Sequence, residues 1–223
     1  MFESKEYLDD LLVRMAHHST AIEGNTLTQA ETVSILLHNY IPRQMNEREY
    51  YEVKNYKKAV EFMAENNEKV SVDKIKKYHK IIMENLIENN GEFKKAQNII
   101  LGANFEIAKP YQVPTILQEW CDNLNYRLEL AQNDKEKLEV ILSEHIKFEK
   151  IHPFSDGNGR TGRILIIDIC VNNNLVPVII PKEAKGKYIY ILNNENEKEF
   201  LEWGLELQKA EKRRKELFEN KEK

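Results

Sequence analysis

One short stretch, His152-Pro153-Phe154-Ser155-Asp156-Gly157-Asn158-Gly159-Arg160-Thr161-Gly162-Arg163, brings an imidazole, a carboxylate, turn glycines and two guanidiniums together. Asp156-Gly157-Asn158-Gly159 reads as a turn whose glycines permit positive φ and the close approach of a ligand. The apolar run that follows predicts a helix from Arg160 to Val171. The turn therefore opens onto a helix N-terminus, where unpaired N–H groups and the helix dipole favour an anion. A concave row of such donors forms a phosphate-binding nest. Arg160 and Arg163, three residues apart, can lean toward one anion, and each can fork onto phosphate oxygens. Asp156 would stand beside those phosphates as an acceptor-only carboxylate, suited to be the single protein ligand of Mg²⁺. His152, at the exit of the preceding helix, can as a neutral imidazole take the proton of an attacking hydroxyl. Base, metal ligand, anion nest and charge clamp together describe phosphoryl-type transfer. A join that merely links two helices needs no such set at one helix start.

A second segment, Ser19-Thr20-Ala21-Ile22-Glu23-Gly24-Asn25, places a carboxylate at a helix C-terminus, where the dipole repels it. Glu23 there calls for a positive partner. His17 and His18 make no metal site with His145 or His152, because adjacent helical side chains point roughly 100° apart. There is no Cys/His cluster at zinc spacing either.

The elements that must position these groups are almost all helical. Leu8, Leu11, Leu12, Met15 and Ala16 fall at helical spacing from Ser4 to about Ile22, and Gly24-Asn25 stops that helix. Thr28 and Glu31 form a capping box that opens a helix through Leu37, and Pro42 breaks the chain. Val53, Tyr56, Val60 and Met63 mark a third helix, and Ile75, Tyr78, Ile82 and Leu86 a fourth, with Ser71 as N-cap. Ile99-Ile100-Leu101 and Phe105-Glu106-Ile107 flank Gly102-Ala103-Asn104 and predict a β-hairpin over 98–108. Pro114 suits the first turn of the next helix, and another runs from about Asp134 to Ile151. Two more surround Tyr188 and Leu201, and residues 209–223 are almost all charged, as in a solvated helix end or tail. The expected fold is an all-α bundle with one hairpin.

The bulk numbers agree with an ordinary globular chain: 223 residues, 41% hydrophobic, 31% charged and a formal net charge of −4. No broad basic face is available, so a nucleic-acid partner is disfavoured; Lys212, Arg213, Arg214 and Lys215 are mixed with Glu211 and Glu216, and no aromatic platform is interleaved. No apolar run approaches the ~20 residues needed to span a bilayer. The acidic start Met1-Phe2-Glu3-Ser4-Lys5-Glu6 is not a signal peptide. Cys121 and Cys170 read as two buried thiols, so a soluble cytoplasmic protein is expected.

The segment from His152 to Arg163 resembles the Fic family signature His-x-Phe-x-(Asp/Glu)-Gly-Asn-Gly-Arg-x-x-Arg, with every defined position present. Gly91-Glu92-Phe93-Lys94 is similar to that family's Gly-x-Tyr-Arg stretch, and the 98–108 segment to its flap, which docks a target by strand addition. Tyr188, Leu192 and Asn196 keep the spacing of the family's Tyr-Tyr-x-x-Leu-x-x-Ala-Asn stretch bordering the nucleotide, with Ile189 and Glu195 as departures. The resemblance implies transfer of AMP from ATP to a Ser, Thr or Tyr hydroxyl of a target protein. His152 would be the base and Asp156 the Mg²⁺ ligand. Gly157, Asn158 and Gly159 would hold the α- and β-phosphates, and Arg160 and Arg163 the β- and γ-phosphates. The related Doc-like kinases carry Ala and Lys at the positions of Gly157 and Gly159, so Gly159 favours nucleotidyl transfer. Ser19, Glu23 and Gly24 match the family's inhibitory motif, (Ser/Thr)-x-x-x-Glu-(Gly/Asn), which implies that Glu23 pairs with Arg163 and blocks the γ-phosphate position. The implied division is an inhibitory region over 1–40, a catalytic domain over 41–208 and a charged tail over 209–223. A de-AMPylase using Glu23 to activate water, and a nucleotide-sensing module without turnover, are the competing functions. The sequence leaves a homo-oligomer open.

Overall fold

The computed structural model describes residues 4–99 and 105–219. Its helices are α1 (Lys5–Ile22), α2 (Gln29–His38), α3 (Glu47–Glu65), α4 (Val72–Ile82), α5 (Val113–Leu130), α6 (Asp134–Ile151), α7 (Asn158–Asn172), α8 (Lys185–Asn194) and α9 (Glu197–Glu219). Short 3₁₀ turns precede α5 and α8.

The starts of these helices are set locally. Ser4 caps α1 by accepting from Tyr7 N at 3.3 Å. Thr28 Oγ1 accepts from Glu31 N at 3.2 Å, while the Glu31 carboxylate accepts from Thr28 N at 2.8 Å, a full capping box on α2. The side chains of Asn46, Ser71 and Asn133 accept from first-turn N–H groups and cap α3, α4 and α6.

The axis of the bundle is α7, which packs on α6, α4 and α1. Its residues Ile164, Leu165, Ile166, Ile167 and Ile169 are all buried. A helix apolar on every side belongs in the middle of a protein. Each such side chain contributes about 1.5–3 kcal/mol on leaving water. The one acid on that stretch, Asp168, is fully buried and receives Lys74 Nζ at 2.8 Å and Tyr78 OH at 2.7 Å. That pairing satisfies a charge that would otherwise be prohibitive in the core. By fixing α7, the core fixes the helix start on which the candidate chemistry sits.

The expected hairpin is corrected in part. Among the described residues there is no strand: Asn98, Ile99 and 105–108 run as irregular chain, and residues 100–104 of the expected hairpin lie outside the described residues. These flanks bond to the α6–α7 loop region instead of to each other. Asn98 Nδ2 donates to Phe154 O at 3.0 Å, and Ala108 N donates to Lys150 O at 3.1 Å. The apolar runs on either side predict strands, but the Ala108 N–H that a ladder would use is taken by Lys150 O, and Asn98 is held through its side chain.

The charged C-terminal run continues α9 to Glu219 and enters the interior at one point. Glu211 is 6% exposed, and its carboxylate receives both Nη atoms of Arg14 at 2.7 Å and Tyr7 OH at 2.8 Å. Arg14 also donates to Asp10 at 2.7 Å, and Arg214 pairs with the other side of Asp10. The first and last helices are thus clasped by a mixed ion network.

Candidate active site

His152 ends α6 in a left-handed conformation, φ 48° and ψ 60°, with its N–H bonded to Phe148 O at 3.0 Å. This reversal turns the chain out of α6 into the loop. Its Nδ1 lies 3.3 Å from Glu149 O. A carbonyl only accepts, so Nδ1 carries the proton and Nε2 keeps a free lone pair. Burial, with the Lys94 ammonium as the second cause, pushes the imidazole pKa down to about 4. The ring is neutral at physiological pH and Nε2 can act as a base.

The loop itself is held from within. Phe154 is fully buried and stacks on His79, with ring centroids 3.7 Å apart. His79 Nδ1 accepts from Gly91 N at 2.8 Å, so its Nε2–H donates to Asp156 O at 2.9 Å. Asn158 Oδ1 accepts from Phe154 N at 2.8 Å and its Nδ2 donates to Phe154 O at 2.9 Å. The Asn158 side chain is therefore spent on the loop, and what it can offer a ligand is its backbone N–H. Gly157 sits at φ +78°, and a Cβ there would meet Met83 Sδ at 2.5 Å. Both the backbone angle and the space demand glycine.

Asp156 is half-buried and ringed by donors. Its Oδ1 accepts from Gly157 N at 2.6 Å and from Arg160 Nη2 at 3.3 Å, and its Oδ2 from Arg48 Nη2 at 2.9 Å. Burial opposes its ionisation, but Arg160 and Arg48 outweigh that and hold the carboxyl below its usual range. Arg160 is 2% exposed and also donates to Glu52 Oε1 at 3.1 Å.

Arg163 is buried, and its Nη2 donates to Glu23 Oε1 at 2.6 Å and to Ser19 O at 3.0 Å. Its Nε donates to Ser19 Oγ at 2.9 Å, and that hydroxyl is held by Tyr56 OH at 2.5 Å. Burial favours the protonated acid at Glu23, but the Arg163 charge and hydrogen bond prevail and its pKa falls below the ordinary value. The guanidinium supplies the positive partner that a carboxylate at the end of α1 requires. Gly24, at φ 104°, releases the chain from α1 directly after it.

The expected site residues are not all brought to one point. Arg160 and Arg163 face different carboxylates, Glu52 and Asp156 for the first and Glu23 for the second. Tyr188 is buried with its OH 2.8 Å from His145 Nε2, and its ring lies 5.8 Å from Arg163 Cζ. Asn196 accepts from Glu199 N at 3.2 Å and caps α9.

Sequence reasoning assigned no site role to Arg48, Glu52, His79, Lys94 or Glu149. Lys94 N donates to Pro153 O at 2.9 Å, and its buried ammonium has no hydrogen-bond partner, which pulls its pKa down to about 8. Glu149 is buried behind Arg163, and burial pushes its carboxyl up to about 7. Only Lys94 lies in a stretch that the sequence had marked, the one beginning at Gly91.

The donor set can be weighed for a divalent ion. Among the described residues, no group of three or more His, Cys, Asp or Glu side chains could hold a metal by itself. Asp156 is a lone, partly exposed, ionised carboxylate beside a helix N-terminus. That suits an ion brought in on phosphate oxygens, since Mg²⁺ takes one or two carboxylates plus substrate oxygens and water. The residues fit such an ion.

Comparison with known proteins bears on the fold and the family. Residues 69–170 match the Fic/DOC family. The chain is 29% identical over 185 residues to protein adenylyltransferase fic-1 of Caenorhabditis elegans, covering 81% of this chain and 36% of that protein. It is 30% identical over 186 residues to protein adenylyltransferase Fic of Drosophila willistoni, with the same two coverages of 81% and 36%. The chain therefore spans about a third of the length of these curated relatives. Among solved structures, Fic-1 from Caenorhabditis elegans aligns with a TM-score of 0.78 at 26% identity, covering 96% of this chain and 66% of that one. A Fic domain protein from Bacteroides thetaiotaomicron has the same fold, with a TM-score of 0.78 at 21% identity over 93% of this chain and 90% of its own. The site and fold define an all-helical Fic-type domain. Residues 69–170 of this chain form a Fic/DOC family domain.

Proposed function

We propose that this chain is a protein adenylyltransferase, moving AMP from ATP to a hydroxyl side chain of a target protein. The observation that carries this reading is the free Nε2 of a neutral His152 at the loop that opens onto the α7 N-terminus. In the proposed reaction the target hydroxyl oxygen bonds to the α-phosphorus as the bond to the β-phosphate bridging oxygen breaks. The hydroxyl proton passes to His152 Nε2, and pyrophosphate leaves. Backbone N–H groups of Gly157, Asn158 and Gly159 would donate to phosphate oxygens, that of Gly157 on leaving Asp156 Oδ1. Arg160 and Arg163 would carry the charge that builds on the leaving pyrophosphate. Asp156 would hold Mg²⁺, which offsets phosphate charge when bound.

The same reading makes Glu23 a brake. Its carboxylate takes the Arg163 Nη2 that a γ-phosphate would otherwise receive, 2.6 Å away. Cys121 and Cys170 are buried free thiols, which fits a reducing, cytoplasmic setting.

Intact-mass analysis of the wild-type chain and Glu23→Gly after incubation with Mg-ATP and candidate target proteins tests the proposal. Addition of AMP by Glu23→Gly, absent from a Glu23→Gly/His152→Ala double variant, is the expected result. No nucleotide addition to itself or to any target would count against it.

A further inference from the structure

Arg48, on the first turn of α3, sits in a closed ring of alternating charge. Its Nη2 donates to Asp156 Oδ2 at 2.9 Å and its Nε to Glu52 Oε1 at 3.1 Å. Arg160 closes the ring, giving Nη1 to the same Glu52 Oε1 at 3.1 Å and Nη2 to Asp156 Oδ1 at 3.3 Å. Glu52 and Asp156 thus each bridge the same two guanidiniums.

The four members differ in freedom. The side chains of Glu52 and Arg160 are 7% and 2% exposed, and Glu52 is further anchored by Asn25 Nδ2 at 3.0 Å. Arg48 is 48% exposed and Asp156 45%. Among the described residues only Arg48 holds Asp156 Oδ2, whereas Oδ1 is held by a backbone N–H as well as by Arg160. A half-solvated ion pair of this kind is weak and easily exchanged. The buried half of the ring is fixed, and the Arg48–Asp156 edge is the one that can open.

We propose that Arg48 is a removable counter-ion of Asp156: it orients the carboxylate before nucleotide binds, and the Mg²⁺ of Mg-ATP displaces it from Oδ2. This rests on the reading of Asp156 as the metal ligand. A guanidinium and a divalent cation compete for the same oxygen lone pairs. After displacement Arg48 retains Glu52, four residues along its own helix, so its charge stays beside the phosphates. Arg48 is therefore a positioning residue whose cost appears only when the metal enters.

The test compares Glu23→Gly with Glu23→Gly/Arg48→Met by calorimetric titration with a non-hydrolysable ATP analogue, in Mg²⁺ and in EDTA. The quantity read is the ratio of the Kd in EDTA to the Kd in Mg²⁺. Loss of a competing surface ion pair should raise that ratio about two- to fivefold in the double variant. Arg48→Lys, which keeps a competing cation, should leave it near the parent value. A ratio unchanged or lowered by Arg48→Met overturns the proposal. A parent that shows no Mg²⁺-dependent gain instead overturns the metal role of Asp156 itself, and the Arg48 proposal falls with it. Thermal melting of both variants without ligand confirms that folded proteins are compared.

Discussion

Glu23 Oε1 and Arg163 Nη2 stand 2.6 Å apart although 140 residues separate them in the chain. A Cβ on Gly159 would stand 2.6 Å from the same Glu23 oxygen and 2.9 Å from Arg163 Nη1, so the pair would have to shift to admit one. A glycine proposed for close approach to phosphate also leaves room for the carboxylate that excludes it. The first prediction follows from this pair. A charge-assisted hydrogen bond is worth about 1.5–3 kcal/mol when buried, and the Glu23 side chain is 38% exposed, so the low end applies. Glu23→Gly should raise AMP transfer at least about tenfold, measured as initial rates with labelled ATP. Equal rates would remove the brake from the account.

The second prediction concerns pH. With its pKa near 4, His152 loses its role as base only when pH falls through that value. AMP transfer by Glu23→Gly should therefore keep its acid limb well below the 6.5 of an ordinary histidine. The sign for stability is the same. A histidine whose folded pKa is depressed stabilises the unfolded state once the unfolded ring protonates, so stability present above pH 6.5 erodes as pH falls from 6.5 toward 4. His79, also near 4, and His145, near 3, act in the same direction. An acid limb centred at 6.5, in a protein still folded by circular dichroism, would contradict the buried neutral ring.

These two predictions draw on different sources. The stretch from His152 to Arg163, and Glu23 with its flanking Ser19 and Gly24, were legible because all their chemistry lies within short runs. The helices were legible from caps such as Thr28 with Glu31, where contacts reach only three residues. The charge ring was not, because Arg48 and Glu52 meet Asp156 and Arg160 across 108 residues and look like an ordinary i,i+4 pair on α3. Glu211 misled for a related reason. It lies in a run of charges that reads as solvated, and only Arg14 and Tyr7, at the other end of the chain, show that it is inside. The described ends of the expected hairpin form no strand, because a local apolar pattern says nothing of the bonds that Asn98 and Ala108 make elsewhere.

A third prediction addresses Glu149. Its Oε1 is buried without a hydrogen-bond partner, and burial, reinforced by Glu23, raises its carboxyl to about 7 despite Arg163. A folded pKa raised above the ordinary 4.5 means that stability is fully present below 4.5 and is lost as pH rises through about 7. Glu149→Gln, which cannot ionise, should raise Tm at pH 8 relative to wild type and change it little at pH 5. The opposite ordering in differential scanning calorimetry would show that Glu149 is ionised and paired in the folded protein.

The clasp between α1 and α9 gives the last prediction. Glu211 accepts three hydrogen bonds, two from Arg14 and one from Tyr7, at 2.7–2.8 Å, and the Arg14 and Glu211 side chains are only 10% and 6% exposed. Removing one partner from a buried ion pair leaves the other uncompensated, at a cost of about 3–5 kcal/mol. Glu211→Ala should lose stability on that scale by urea denaturation, while Glu211→Gln, which still accepts from Tyr7 and Arg14, should lose less. The same helix α1 ends at Glu23, so a loosened clasp should also weaken the hold on Arg163. Glu211→Gln is then expected to transfer AMP faster than wild type yet more slowly than Glu23→Gly. If it stays as slow as wild type while its stability falls, the clasp supports the fold without reaching the brake.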